Sequence, residues 1–65
     1  MSVAKVIELT ATSPESFEDA CRQGLEKASE TIRDIRAAWV DGQEVFVADG
    51  AVVFQVHLKI TFVLE

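Results

Sequence analysis

The sequence predicts an α+β fold in the order strand, helix, strand, strand, with an antiparallel three-stranded sheet wrapped around one helix. Three observations carry that prediction. Residues 51–65 place Val52, Phe54, Val56, Leu58, Ile60, Phe62 and Leu64 on even positions, with Gln55, His57, Lys59 and Thr61 between them. Side chains of a strand alternate faces, so this is a long half-buried strand. Upstream, Phe17, Ala20, Cys21, Gly24, Leu25, Ala28 and Ile32 recur at three- and four-residue steps, the signature of one amphipathic helix. Asp49 and Gly50 form a strong hairpin signal between the last two β-rich runs.

The first strand covers residues 3–11, aliphatic and β-branched without a breaker. Thr12, Ser13, Pro14 and Glu15 mark a helix start. Ser13 suits the cap, Pro14 the first helical position and Glu15 the positive end of the helix dipole. The helix runs from there to about Ile32. Its small residues Ala20, Cys21, Gly24 and Ala28 let it sit close to a sheet, with Cys21 a packing residue. Residues 33–40 open the second strand, with Ile35, Ala37 and Trp39 on one parity. Asp41 and Gly42 interrupt it, and residues 43–48 resume it. A bulge in one long strand is preferred to a turn there, because bulges tolerate glycine and let a strand curl over a helix.

Size sets a further expectation. One domain over residues 1–65 buries only about 60% of its unfolded surface and is marginal alone. A single cysteine, Cys21, permits no intrachain disulfide, and a single histidine, His57, permits no structural zinc cluster within one chain. Oligomerisation is the remaining remedy. The last strand points the same way. Extended, it spans roughly 45 Å at about 3.3 Å per residue, longer than a compact domain of this size, about 30 Å across. It must bend or reach a neighbour.

The net charge of −5, from 11 acidic and 6 basic residues, argues against nucleic acid, which demands a basic stripe. No window approaches a membrane helix and no signal pattern opens the chain. With a free thiol, this fits a cytoplasmic protein. No catalytic constellation is visible: there is no Ser/His/Asp arrangement, no phosphate-cradling glycine loop, and no carboxylate pair near the histidine. On these residues the chain is not expected to be an enzyme. Its polar strand face, Gln55, His57 and Lys59, is the candidate site. Lys59 is expected to pair with an acidic neighbour, and Asp41 and Glu44 are the carboxylates available for a divalent cation.

The segments Val6-Ile7-Glu8-Leu9-Thr10, Thr12-Ser13-Pro14, Ala48-Asp49-Gly50-Ala51-Val52, Phe54-Gln55-Val56 and Phe62-Val63-Leu64-Glu65, in that order and spacing, resemble the dodecins over nearly the whole chain. The resemblance implies a β-α-β-β subunit of a hollow homododecamer. It also implies binding of a flavin, riboflavin or FMN, for storage or sequestration. Other branches of the family imply an alternative, a non-flavin assembly with a structural, calcium-binding or coenzyme A-binding role. In the family a second-strand tryptophan stacks on the flavin ring, and a last-strand glutamine hydrogen-bonds its polar edge. Gln55 matches the glutamine. Aligned from the helix end, the tryptophan's place falls on Ala37, and Trp39 lies two residues later. The flavin-site residues implied are therefore Gln55 and Trp39.

Whether these two share a face depends on register. A two-residue turn at Asp49 and Gly50 pairs positions summing to 99, which puts Trp39 with Phe54 and Val56. A three-residue loop there, or a one-residue bulge at Asp41 and Gly42, puts Trp39 on the face of Gln55.

Overall fold

The computed structural model describes residues 3–64. Four elements follow in the predicted order: strand β1 (Ala4–Ser13), helix α1 (Phe17–Ser29), strand β2 (Ile35–Ala48) and strand β3 (Ala51–Val63). The sheet order is β1-β3-β2, antiparallel throughout, with the most apolar strand in the centre. Glu65, the expected end of the last strand, lies outside the described residues.

Helix α1 lies on the even face of β3. Val56, Leu58 and Ile60 are fully buried beneath it together with Ala20, and Phe17, Cys21, Leu25, Ile7, Leu9, Ile32, Ile35 and Ala38 pack around them. Phe17 meets Phe54 edge-on, with ring centroids 5.0 Å apart. The periodicity predicted a longer core than this. Val52 and Leu64, also even-numbered, stay 41% and 56% exposed. The reason is length: the 13 residues of α1 rise only about 20 Å, whereas the 13 residues of β3 extend about 43 Å. The apolar face of the β2–β3 hairpin therefore runs past the helix, and Val45, Val47 and Val52 remain uncovered at its far end. The long axis measures 50 Å against 20 and 13 Å for the others, so the long strand does not fold back on itself.

The helix starts later than the sequence predicts. Strand β1 continues to Ser13, which pairs with Phe54, and the cap is Ser16, whose side chain accepts from the Asp19 backbone N–H at 2.9 Å. Ser13 instead accepts from the Glu15 N–H at 3.0 Å and donates its hydroxyl to the Asp19 carboxylate at 2.6 Å. Pro14 and Glu15 thus sit in the turn and not in the first helical turn. At the other end the helix stops at Ser29, so Ile32 packs on the core from the connection.

Two bulges shape β2. Asp49 and Gly50 both have positive φ, 52° and 78°, as a two-residue hairpin turn of the favoured hand requires. Pairing from Ala48↔Ala51 to Gly42↔His57 keeps the register this turn sets. Between Val40 and Gly42 the register shifts by one, and Asp41 is the extra residue. The expected bulge is therefore present within one continuous strand. A second shift, between Ile35 and Ala37, was not anticipated. It separates Ile35, which turns to the core side opposite Phe62, from Ala37 and Trp39, with which it shares parity in the sequence.

Candidate functional site

The sheet face away from α1 is the open one. Directly paired residues of an antiparallel ladder project to the same side, so the rungs can be read across the three strands. Thr12, Gln55 and Glu44 form one rung. Thr10, His57 and Gly42 form the next, followed by Glu8, Lys59 and Trp39, then Val6, Thr61 and Ala37. The Asp41 bulge places Trp39 here: the unshifted register would set it opposite Ile60, on the core side. Trp39 is 69% exposed. The structure therefore brings Trp39, Ala37 and Gln55 onto one face. Trp39 and Gln55 are two rungs apart, roughly 13 Å along the strand at about 3.3 Å per residue. The rung between them is half bare, because Gly42 has no side chain and its nearest neighbouring heavy atom is the His57 Cβ.

A shallow depression of about 400 Å³ lies at this point, lined by Gly42, Gln43, Glu44, Gln55 and His57. Around it, two of the basic side chains stand beside carboxylates. His57 Nε2 is 2.7 Å from Glu8 Oε1, a diagonal contact from β3 to β1. Lys59 Nζ is 3.7 Å from Asp41 Oδ2, so the bulge residue also supplies the acidic partner expected for Lys59. Glu44 stands directly opposite Gln55. The second bulge residue, Arg36, is anchored at 3.1 Å to Asp34.

Sequence reasoning did not find Glu8 as a partner of His57. They lie 49 residues apart, and only the β1–β3 register joins them. It also named Asp41 and Glu44 together as carboxylates available for a cation, without assigning a metal site. The structure separates their roles, with Asp41 taken by Lys59 and Glu44 beside Gln55. No group of three or more metal-ligating side chains occurs among the described residues of one chain.

A flat, partly polar ring system fits this face in kind. It requires an exposed aromatic surface, which Trp39 offers, and an amide that both donates and accepts, which Gln55 offers. Between the two lies a patch of backbone at Gly42 that no side chain covers.

The chain is a small β-α-β-β unit with a long antiparallel hairpin packed on one helix and a polar, tryptophan-bearing outer face. The comparisons with known proteins identify its family. Residues 3–65 match the family model described as Dodecin, and the chain belongs to that family. It is 36% identical to the calcium dodecin of Mycobacterium tuberculosis over 63 residues, covering 95% of this chain and 89% of that one. Dodecin from Streptomyces coelicolor superposes with a TM-score of 0.93 at 34% identity, covering 98% of this chain and 93% of that one. A variant of the Thermus thermophilus dodecin gives 0.94 at 32%, covering 100% and 98%. The crystal structure of the M. tuberculosis calcium dodecin, described as a calcium-chelating antigen with a novel calcium-binding site, gives 0.90 at 34%, covering 98% and 93%. No helix among the described residues is long and apolar enough to cross a membrane.

Proposed function

We propose that this dodecin is a flavin-sequestering binding protein, not a turnover enzyme, and that it works as a homododecamer. The observation that carries the reading is the exposed Trp39 on the face of Gln55, placed there by the single-residue bulge at Asp41. Trp39 supplies the stacking surface and Gln55 the hydrogen bonds to the polar edge of the ring. Shielding of the bound flavin from solvent then falls to a neighbouring subunit that covers this open face. The uncovered apolar end of the hairpin, Val45, Val47 and Val52, supports assembly, because a chain of this size leaves such a surface exposed only if a neighbour covers it.

Titration of riboflavin fluorescence tests the flavin reading. Quenching that saturates at one flavin per protein chain or fewer supports it. Trp39→Ala should weaken binding by about fivefold or more, since a stacked aromatic is worth about 1–3 kcal/mol. Light scattering tests the assembly, and a stable monomer near 7.2 kDa would contradict it.

A second reading is favoured by one observation: the relative of 36% identity is a calcium dodecin. Among the described residues, Glu8, Asp41 and Glu44 are the carboxylates that reach the open face, and a site for calcium takes oxygen ligands in greater number, so subunits would have to share them. Calcium titration by calorimetry distinguishes this reading. Heat that saturates with calcium, with riboflavin fluorescence unchanged by the protein, would replace the flavin reading by this one.

A further inference from the structure

The proposed site faces an unbalanced set of charges. Among the described residues, the open face around Gln55 and Trp39 carries three carboxylates, Glu8, Asp41 and Glu44, and two basic side chains, His57 and Lys59. Both basic groups already have a carboxylate partner, His57 at 2.7 Å and Lys59 at 3.7 Å. Glu44, opposite Gln55, has no ion-pair partner among the described residues. The chain as a whole carries −5. A phosphate monoester brings about −1.5 to −2 at neutral pH. Among the described residues of this face it meets an excess of like charge and no uncommitted cation, and the repulsion acts over roughly a Debye length, about 10 Å at 0.1 M salt.

We infer that the open face selects against phosphorylated ligands, with Glu44 as the specificity-determining residue, so that it takes an uncharged flavin in preference to its phosphate ester. The inference rests on the flavin reading and sharpens it to a substrate class. Glu44 is suited to the role by position. It flanks the amide that reads the ring edge, and its carboxylate accepts from hydroxyl groups but repels phosphate. Asp41 acts in support by holding Lys59, the cation beside Trp39, in an ion pair.

The test compares riboflavin with FMN by fluorescence titration of the assembled protein at low salt, then at about 1 M salt, where the Debye length falls to about 3 Å. The expected result is a dissociation constant for FMN about tenfold or more above that for riboflavin at low salt. High salt should narrow the gap several-fold by strengthening FMN binding alone, and Glu44→Gln should narrow it at low salt. FMN binding as tightly as riboflavin, or tighter, at low salt overturns the inference while leaving flavin binding intact. It would mean that Lys59 leaves Asp41 for the phosphate, and Lys59→Gln would then abolish the preference for FMN. Binding of neither flavin at any salt concentration removes the flavin reading and this inference with it, an outcome distinct from reversed selectivity.

Discussion

Trp39 faces Lys59 across the β2–β3 ladder, one position away from the partner that the Asp49–Gly50 turn would assign it. Asp41, left out of the pairing, makes the difference. Paired, it would set the indole on the core side of the sheet, opposite Ile60; bulged, it leaves the indole on the open side, where Gln55, His57 and Lys59 already stand.

Removing that residue should leave the indole where it is. In a chain lacking Asp41, Val40 joins Gly42 directly, so Val40 still pairs with Leu58 and Trp39 with Lys59, now in an unbroken ladder. Only the Lys59 ion pair is lost, a half-exposed pair worth about 0–1 kcal/mol. Asp41→Gly keeps the residue count and loses the same pair. Both variants are expected to keep the fold, the exposed indole and an unfolding midpoint close to the parent's. Urea unfolding of both variants, followed by tryptophan emission, checks the point. A deletion variant with blue-shifted, buried emission would show that the ladder does not hold Val40 opposite Leu58.

How far the sequence revealed this site follows from where the information lies. The central strand was readable because its period is written in one continuous run, from Val52 to Leu64. Gln55 was readable for the same reason. The bulge at Asp41 was expected from a glycine interrupting a β run, but its consequence for Trp39 depended on the turn and the bulge together. The shift at Arg36 left no such mark, because no glycine accompanies it; the structure shows it through Ile35 turning to the core. The Glu8–His57 contact depends on the β1–β3 register, which no local pattern encodes. The helix start was misplaced because Ser13 and Ser16 are both competent caps. The choice went to Ser16 because β1 pairs as far as Ser13.

Gly24 is the position where the helix touches the sheet. A Cβ there would lie 3.0 Å from the Ala11 Cβ, 3.2 Å from Leu58 Cδ1 and 3.4 Å from Leu9 Cδ1. Leu58 and Leu9 can shift at their tips, but the Ala11 Cβ is fixed to the backbone of β1. Gly24→Ala gains about 1 kcal/mol of helix propensity and sets it against overpacking of about 1–3 kcal/mol. The expected outcome is a net loss of about 1 kcal/mol in chemical denaturation, and a larger loss for Gly24→Val. A gain in stability for Gly24→Ala would mean that α1 can lift from β1 without cost.

The two serines at the helix start should respond differently. Ser16→Ala removes the oxygen that accepts from the Asp19 N–H, a cap worth about 1 kcal/mol. Ser13 is 1% exposed, and its hydroxyl both accepts from Glu15 and donates to Asp19. A hydrogen bond to a charged group contributes about 1.5–3 kcal/mol, so Ser13→Ala should be the more destabilising of the pair. Equal losses in parallel denaturation curves would place Ser13 on a par with an ordinary cap.

Asp19 carries the acid sensitivity of this corner. The Ser13 hydroxyl first, then the Gln23 amide at 2.6 Å and the Arg22 charge, hold its carboxyl below the ordinary aspartate value near 3.8, against a smaller opposing effect of burial. Unfolding frees the carboxylate of these partners, and its affinity for a proton returns to the ordinary value. The unfolded chain therefore binds the proton more readily, and native stability rises with pH through this range. The contribution is fully present above about pH 4 and is lost as pH drops through the lowered native value. Asp19→Asn cannot titrate, so its stability curve should be flatter than the parent's below about pH 4, while Ser13→Ala should lessen the slope by raising the native value toward the ordinary one. Unfolding midpoints measured from pH 2 to pH 7 for the three proteins decide the matter; identical acid limbs would mean that other carboxylates govern acid unfolding.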